Sequence, residues 1–496
     1  MAAAAIIALC ASVVGILFVL PFVVLLCSVL VQKRKCVPDW VYCVATMGCL
    51  PVLVAGLFPI AICQLLLVQQ LIAFTFKALW TLIESVNGFR SHLQQEKVYS
   101  SSQYGALSDY RVMIIISAYL DNELNVLPLT LPSYTRLQYN STEPIAVCIV
   151  FNCSDLHKQH LRDAAVKLYT DWHDKRIGHC HFQVHWNEKS TSKSENVNFM
   201  LEKAKHMAPD IIGLFDADHC PDVLSVQHAA REFGKGNVDV VQGNCAVRNA
   251  DASAVASFVA VEFQDKYNVG HEGRTNTSGI GLFGGSNGYW RADLLMQIKM
   301  KKEFLTEDID ASFRALQSGA RIQYCHAMMS TELATETISA LIKQRTRWFQ
   351  GWLEVAVTHL LPSLRSSQPA LSAFGAKLGL LLLLLYKEVF AYLTFAPLIF
   401  ACILTVRTDN RFVNAICFAV GTVLTSVNCL RLVCVYRVAR GPVRRNKYWL
   451  RYFVQYMVLS LPYQAFLHCI QVAAHWRYLA GKRQWVVTNR AKPCTH

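Results

Sequence analysis

Two aspartates one residue apart lie directly after an apolar run near the middle of the chain. Ile211 to Leu214 leads into Phe215-Asp216-Ala217-Asp218-His219. Carboxylates at the carboxyl end of a buried strand lie at the edge where open α/β sheets bind ligands, and Mg²⁺ and Mn²⁺ prefer hard oxygen ligands shared with phosphate. The turn therefore predicts a metal and diphosphate site, although an isolated pair of this kind is more often a turn that caps the next helix.

Two further stretches downstream carry acidic, basic and aromatic side chains. Thr306-Glu307-Asp308 begins an amphipathic helical pattern, and Gln344-Arg345-Thr346-Arg347-Trp348 follows it. Taken singly, acids at a helix start most often stabilise the helix end, and arginine beside tryptophan often anchors a chain at a membrane interface. A catalytic interpretation requires the fold to bring both stretches to the acidic turn.

The elements that position these residues belong to a charged middle of the chain, roughly residues 95–365. Four apolar runs in it read as buried strands: 111–117, 145–151, 210–215 and 238–242. Because helical stretches separate them, we predict a mostly parallel α/β sheet covered on both faces. The segment 192–198 opens the helix before the acidic strand, which places Lys193 and Asn198 near the same edge. The glycine-rich loop 279–288 lets the backbone approach a bulky ligand.

The composition places part of the chain in lipid. Of 496 residues, 53% are hydrophobic and 17% are charged, which is too apolar for a soluble protein of this size. The net charge of +14 lies largely beside apolar windows, where basic residues fix topology and contact anionic lipid. Nucleic acid is therefore not an expected partner. The 18 cysteines include no C-x-x-C pair, which indicates reduced thiols.

Five apolar windows flank the charged middle: residues 5–31, 41–76, 389–406, 412–430 and 452–476. The first is long enough to cross a bilayer, and the cluster Lys33-Arg34-Lys35 directly after it favours a cytoplasmic position for that end of the segment. The second fits two crossings broken near Gly56 to Pro59. It also fits one crossing followed by an interfacial helix, because polar residues recur every seven positions at Gln70, Lys77, Glu84 and Ser91.

In this order, the acidic turn, Thr306-Glu307-Asp308 and Gln344-x-x-Arg347-Trp348 resemble the signature of membrane-embedded, processive family 2 glycosyltransferases, such as cellulose, curdlan, hyaluronan, chitin and mannan synthases. The resemblance implies a GT-A type, mostly parallel α/β domain inserted between transmembrane and interfacial helices. It also implies an inverting enzyme that transfers a hexose, with UDP-glucose as the first choice, onto a growing β-linked polysaccharide. A glycolipid glycosyltransferase and a synthase that uses GlcNAc or mannose are the alternatives.

The same resemblance implies a role for each matching residue. Asp216 and Asp218 hold Mg²⁺ or Mn²⁺ and with it the diphosphate, and Asp308 is the general base. The remaining positions divide between donor and acceptor. Lys193, Asn198, Arg345, Arg347 and Thr488 contact the nucleotide sugar, whereas Trp348, Glu307, Gln344 and Trp485 lie on the acceptor side.

Trp485-Val486-Val487-Thr488-Asn489-Arg490 resembles the gating loop of cellulose and mannan synthases, which closes over the nucleotide. A cytoplasmic gating loop requires the 452–476 window to lie along the membrane interface rather than cross. One position departs from the family, because Asn152 or Asp155 replaces the usual aspartate near the uracil. The chain ends soon after the loop, so a channel would need the N-terminal segments or a second copy in a homo-oligomer.

These inferences divide the chain into five parts and place it as a multi-pass protein of the plasma membrane or Golgi with a cytoplasmic catalytic domain. The parts are transmembrane and interfacial helices (1–95), the GT-A domain (96–352), interfacial helices (353–387), a transmembrane helix pair (388–436), and a basic loop, interfacial helix and gating-like tail (437–496). A cytoplasmic domain predicts that the N-x-S/T asparagines Asn140, Asn152 and Asn276 carry no glycan.

Overall fold

The computed structural model of the chain describes residues 39–100, 109–155, 157–408, 411–439 and 442–482. The first apolar window and the tail with Trp485 and Thr488 lie outside these residues. The predictions made for them stay predictions.

A nine-stranded sheet forms the centre of the charged middle. Its strands are β1 Val112–Tyr119, β2 Ile145–Asn152, β3 Lys175–Ile177, β4 Cys180–Trp186, β5 Ile211–Asp216, β6 Cys220–Pro221, β7 Val240–Val247, β8 Gly288–Arg291 and β9 Ile322–Glu332. They lie side by side in the order β3-β4-β2-β1-β5-β8-β7-β9-β6. All four predicted strand positions are confirmed, although the fourth begins and ends later than expected.

The sheet is mixed rather than mostly parallel. Strands β4, β2, β1 and β5 are parallel neighbours, as predicted, and so are β7 and β9. In contrast, β8 runs antiparallel to both β5 and β7. The chain enters β8 at Gly288, which pairs with Leu214 near the end of β5, so β8 must run back from the edge at which β5 ends.

Helices surround the sheet on both faces and continue beyond it. In chain order the α-helices of the described residues are α1 Asp39–Cys43, α2 Leu50–Leu57, α3 Ile60–Ser100, α4 Leu120–Glu123, α5 Leu127–Tyr134, α6 Gln159–Trp172, α7 Lys193–Met207, α8 Ser225–Gly234, α9 Ala254–Asp265, α10 His271–Ser278, α11 Ala292–Ile298, α12 Glu307–Gln317, α13 Ile338–Arg365, α14 Pro369–Ser372, α15 Phe374–Leu380, α16 Lys387–Phe390, α17 Ala396–Thr408, α18 Arg411–Val438, α19 Pro442–Arg445 and α20 Trp449–Leu479. π-helical turns at Val44–Cys49, Lys266–Gly270 and Leu381–Tyr386 join some of them.

Side chains of β1 alternate between two hydrophobic cores. Ile114 and Ile116 pack on one face, whereas Met113 and Ile115 pack on the other. All four side chains are buried. Because a half-buried strand would alternate apolar with polar residues, the continuous apolar run of β1 is explained by burial on both faces. The predicted α/β class, with helices on both faces of the sheet, is confirmed.

Three helices are long and apolar enough to cross a membrane, namely Ile60–Tyr99, Ala415–Val438 and Trp449–Leu479. A pair formed by Phe374–Leu393 and Ala396–Arg407 passes the same test together and is bent by 40°. The chain is therefore a membrane protein. The break between α2 and α3 falls at Phe58-Pro59, where the sequence predicted it. The number of crossings and the five-part division stay predictions.

Helix α3 continues from its apolar first half onto the α/β domain without interruption. A Cβ at Gly88 would overlap the carbonyl oxygen of Val269, and one at Gly273 would overlap the carbonyl of Glu84. Asn87 Nδ2 also donates to Thr277 Oγ1 at 2.9 Å. These contacts dock α3 against the π-helical turn Lys266–Gly270 and α10 at backbone distance, which only glycine permits.

We therefore expect Gly273→Ala to destabilise the docked helix. Overpacking of this kind costs about 1–3 kcal/mol, so the unfolding temperature of the purified full chain should fall when tryptophan fluorescence is followed on heating. Gly421→Ala is the matched control, because a Cβ at this helical glycine meets no atom within 4 Å. Equal unfolding temperatures for the two variants would contradict the close approach.

Candidate active site

Polar side chains converge where β1, β2 and β5 end. In the strand register, Ser117 pairs with Asp216, and Tyr119 pairs with Asn152. These four residues line a cavity of about 1890 Å³. The cavity therefore opens at the carboxyl edge of the parallel strands, where the sequence predicted ligand binding.

Lys193 and Asp216 form an ion pair in this cavity. Lys193 is the first residue of α7, which Ser192 caps by accepting a hydrogen bond from the backbone N–H of Glu195. Its ammonium group donates to Asp216 Oδ1 and, at 2.6 Å, to the carbonyl oxygen of Gly285. Although burial opposes its charge, the carboxylates of Asp216 and Glu307 raise the pKa of Lys193. The site thus holds a permanent positive charge beside the acidic turn.

The second aspartate of the turn is anchored to β9 and the residues after it. Asp218 is buried, and its Oδ2 accepts a hydrogen bond from the backbone N–H of Leu333 at 3.1 Å. His219 Nδ1 lies 3.1 Å from Ser330 Oγ. One ligand atom each from Asp216, Asp218 and His219 lies within 4.8 Å of the others. Two carboxylates in this arrangement fit a hard divalent cation.

Asp308 faces the same cavity from the start of α12. The backbone of Gly285 has φ +94°, and a Cβ there would lie 2.8 Å from Asp308 Oδ2. Glycine is therefore required twice, for its left-handed backbone and for the space that the carboxylate fills. Burial raises the pKa of Asp308, and burial together with Asp308 raises the pKa of Glu307 to about 7.

The two predicted arginines differ in what they contact. Arg347 Nη1 donates to the carbonyl of Leu305 at 3.3 Å. Its positive charge opposes the larger effect of burial by lowering the pKa of Asp308. Arg345 is buried, and its two terminal nitrogens donate to Glu262 at 2.8 and 2.9 Å. Arg345 lines the cavity with its charge already paired by a carboxylate, and its predicted diphosphate contact stays a prediction. Of these two arginines, Arg347 is the one whose charge acts on Asp308.

Trp348 and Gln344 line the cavity on the side of α13. The guanidinium of Arg345 lies 4.4 Å from the ring centroid of Trp348, and the ammonium of Lys266 lies 5.1 Å from it. Its π-face is thus a cation-binding surface in this structure. Gln344 Oε1 is buried and meets no hydrogen-bond partner among the described residues, so it is a candidate acceptor for a substrate hydroxyl.

Comparison with known proteins identifies the domain that holds this cavity. A family model described as "Glycosyl transferase family group 2" matches residues 211–408. The chain carries a family 2 glycosyltransferase domain. This confirms the resemblance drawn from the acidic turn, Thr306-Glu307-Asp308 and the arginine and tryptophan segment.

Curated relatives of the glycosyltransferase domain are poly-β-1,6-N-acetyl-D-glucosamine synthases. The one from Staphylococcus aureus (strain COL) is 23% identical over 193 residues, which are 36% of this chain and 43% of that protein. The one from Staphylococcus epidermidis is 28% identical over 186 residues, which are 35% of this chain and 42% of that protein. The chain thus spans less than half the length of these relatives.

Solved structures similar to the glycosyltransferase are more distant. The mannosyltransferase PcManGT from Pyrobaculum calidifontis, in complex with GDP-Man and Mn²⁺, is 15% identical with a TM-score of 0.44, over 83% of this chain and 100% of that one. TarS 1–349 of S. aureus in complex with UDP-GlcNAc is 14% identical with a TM-score of 0.34, over 75% of this chain and 92% of that one.

Two asparagines of the glycosyltransferase domain differ in their relation to the cavity. Asn198 does not line the cavity, because its amide clamps the backbone of Met300 with hydrogen bonds of 2.7 and 2.9 Å. Its predicted nucleotide contact is therefore not supported. Asn152 lines the cavity, whereas Asp155 does not. The cavity lining favours Asn152 over Asp155 for the predicted replacement of the usual aspartate, and Asn196 Nδ2 donates to Asn152 Oδ1 at 2.9 Å.

Several cavity residues of the glycosyltransferase were missed in the sequence. They are charged side chains of the helical segments outside the sheet: Lys77, Lys266, Arg274, Lys387 and Arg431. Arg431 pairs with Asp265 at 2.6 Å, and Lys387 lies 3.6 Å from the ring centroid of Trp352. A usable signal existed for Lys77, Lys387 and Arg431, since ionisable residues beside apolar windows tend to be functional.

Gly285→Ala should reduce the turnover of a nucleotide sugar by at least about tenfold, because a shift of the catalytic group of roughly 1 Å is enough to cost that much. The matched control is Gly236→Ala. Gly236 also has positive φ, at 76°, but a Cβ there meets no atom within 4 Å. Initial rates of nucleoside diphosphate release measure the effect, and equal rates for both variants would exclude the predicted clash with Asp308.

Proposed function

We propose that this protein transfers a hexose from a nucleotide sugar to a saccharide acceptor, with inversion at the anomeric carbon. One observation carries the proposal: the Lys193–Asp216 pair, Asp308 and Arg347 come from separate parts of the chain and face one cavity at the sheet edge. The family match, which begins at Ile211, includes three of these four residues.

In the proposed reaction, Asp308 accepts the proton of the acceptor hydroxyl. The acceptor oxygen attacks the anomeric carbon as the bond from that carbon to the diphosphate breaks, and the nucleoside diphosphate leaves with the electron pair. A single displacement of this kind inverts the anomeric carbon. The raised pKa of Asp308 suits a general base, because a more basic carboxylate accepts the proton more readily.

Positive charge is needed where the diphosphate leaves. Arg347 supplies a permanent charge beside Asp308, and Lys193 supplies another beside Asp216. A divalent cation held by Asp216, Asp218 and His219 would neutralise further charge on the leaving diphosphate. The oxygen-rich ligand set supports Mg²⁺ or Mn²⁺ as the cation.

The donor is proposed to be UDP-linked. Because the curated relatives are named as synthases of an N-acetyl-D-glucosamine polymer, we take GlcNAc as the leading donor sugar, ahead of the glucose expected from the sequence. Tyr119 and Asn152 line the cavity at the ends of β1 and β2, where the base would lie. The Asn152 amide donates to the Ser190 carbonyl at 3.2 Å and accepts from Asn196, which leaves one N–H and one lone pair for a pyrimidine edge, whereas an aspartate offers acceptors alone.

The acceptor is proposed to be a growing β-linked polymer at the cytoplasmic face of the membrane. The cavity continues from the sheet edge to apolar residues of helices that are candidates for crossing, including Phe74, Leu424 and Leu461. Such a path suits a saccharide that leaves along the helices. The same apolar lining also suits a lipid-linked acceptor, so addition of one sugar to a glycolipid is the second candidate.

Purified full-length protein with UDP-GlcNAc, UDP-glucose or GDP-mannose, and Mg²⁺ or Mn²⁺, should release nucleoside diphosphate with one donor preferentially. Product size then separates polymer from glycolipid.

Asp308→Asn should lower turnover by about 10²–10⁴-fold, the usual contribution of a general base, and leave UDP binding in place. Glu303→Gln, an exposed carboxylate in the preceding loop, is the control. Undiminished synthesis by Asp308→Asn would overturn the assignment.

The acidic limb of the pH profile gives a separate test. Because Asp308 must be ionised to accept a proton, and its pKa is raised, kcat/KM should fall as the pH drops through a value above the ordinary range of an aspartate. Glu307 has a pKa of about 7, so it is largely protonated over the pH range in which Asp308 takes up its proton, and Glu307→Gln should leave the acidic limb close to its wild-type position. Profiles from pH 5 to 9 measure the position of the limb, and a large shift in Glu307→Gln would show that Glu307 rather than Asp308 sets it.

A further inference from the structure

The first turn of α12 carries Glu307 and Asp308, and its start is not held by its own capping residue. Thr306 precedes the helix, but its side chain accepts no hydrogen bond from the helix start. Its buried hydroxyl oxygen meets no hydrogen-bond partner among the described residues. Threonine at this position usually stabilises a helix start through that oxygen. The position of the two carboxylates therefore depends on contacts from another element.

Helix α13 supplies these contacts through one of its faces. Glu354 Oε2 accepts a hydrogen bond from the backbone N–H of Leu305 at 3.0 Å, and Arg347 Nη1 donates to the carbonyl oxygen of the same residue at 3.3 Å. Residues seven positions apart lie about two turns apart on the same face of a helix. Both polar groups of the Leu305 backbone are thus bound by one face of α13.

Gly351 lies between these two side chains on the same face of α13. A Cβ there would lie 2.6 Å from Thr306 Cγ2 and 2.8 Å from the Thr306 backbone nitrogen. Only a residue without a side chain lets α13 approach the backbone before α12 so closely. We call Arg347, Gly351 and Glu354 the α13 clamp.

The α13 clamp leaves Asp308 little room to move. Glu354 is 4% exposed, and burial of a carboxylate is unfavourable unless hydrogen bonds offset it. Leu305 lies three residues before Asp308, so a shift of its backbone carries over to the start of α12. Asp308 Oδ2 also lies beside Gly285, where a Cβ would be 2.8 Å away. The Asp308 carboxylate is therefore held by contacts with two separate parts of the fold.

We propose that Glu354 is a positioning residue that acts through Leu305 to hold the Asp308 carboxylate at the acceptor hydroxyl. The inference rests on the proposed function, in which Asp308 is the general base. Glu354 itself does not line the cavity, so it is not a catalytic residue. Displacement of a catalytic group by about 1 Å can cost roughly 10²-fold in rate. Loss of the Glu354 contact should therefore lower kcat and leave donor binding at Asp216 in place.

The test compares Glu354→Leu, which removes the acceptor, with Glu354→Gln, which keeps an oxygen for the Leu305 N–H. The full-length protein is assayed with whichever of UDP-GlcNAc, UDP-glucose and GDP-mannose the wild type turns over fastest, and kcat is expressed per nucleotide-binding site. Glu354→Leu should lower kcat by about 10–100-fold at nearly unchanged donor KM, whereas Glu354→Gln should restore most of it. Gln317→Leu is the matched control, because Gln317 Nε2 donates to Ser363 Oγ at 2.9 Å and so joins the same two helices at the far end of α12.

A double-mutant cycle with Asp308→Asn separates positioning from a general loss of stability. If Glu354 acts through Asp308, Glu354→Leu should cause no further loss in the Asp308→Asn background. Gly351→Ala, which should displace Thr306, serves as the second variant if Glu354→Leu does not fold. An unchanged kcat, or an equal loss with and without Asp308→Asn, would overturn the inference. Undiminished turnover by Asp308→Asn alone would instead overturn the proposed role of Asp308, on which the inference rests.

Discussion

The ammonium group of Lys193 lies between a carboxylate of the acidic turn and the carbonyl oxygen of Gly285, at the edge where three parallel strands end. Asp216, Glu307 and Asp308 would otherwise bring negative charge together inside one cavity. Two like charges 4 Å apart repel by about 4 kcal/mol at an effective dielectric constant of 20. The lysine therefore makes this cluster of acids compatible with folding, and it also ties α7 to the acidic turn and the glycine loop.

The two arginines of α13 have different electrostatic partners. Arg345 neutralises Glu262 of α9, which also accepts a hydrogen bond from Tyr463 of α20 at 2.8 Å. The charge of Arg345 stabilises the packing of α13 against α9 and α20, because leaving a largely buried carboxylate without a partner would cost folding free energy. Arg347, two residues later, lies on another side of the helix and faces the acids of the reaction site.

The sequence was informative where local chemistry decides the structure. The apolar run before Asp216 predicted both the strand and the position of its carboxylates, and the order of three short motifs predicted the family. Contacts between residues that are distant in sequence could not be predicted. The sequence around Arg345 does not predict its ion pair with Glu262, and the sequence around Asn198 does not predict its hydrogen bonds to the backbone of Met300. The antiparallel course of β8 was also hidden, because a four-residue strand carries no signal of its direction.

The uninterrupted length of α3 has a mechanical consequence. Its 41 residues span about 60 Å, whereas the hydrocarbon core of a bilayer is about 30 Å thick. With its apolar first half in the lipid, as one of the two sequence predictions has it, the second half would project beyond the bilayer and act as a rigid spacer between the bilayer and the sheet edge. Each residue added to or removed from it would shift the height of the reaction site by about 1.5 Å and rotate the site by about 100°. The length of this helix thus sets where the sugar chemistry takes place relative to the membrane surface.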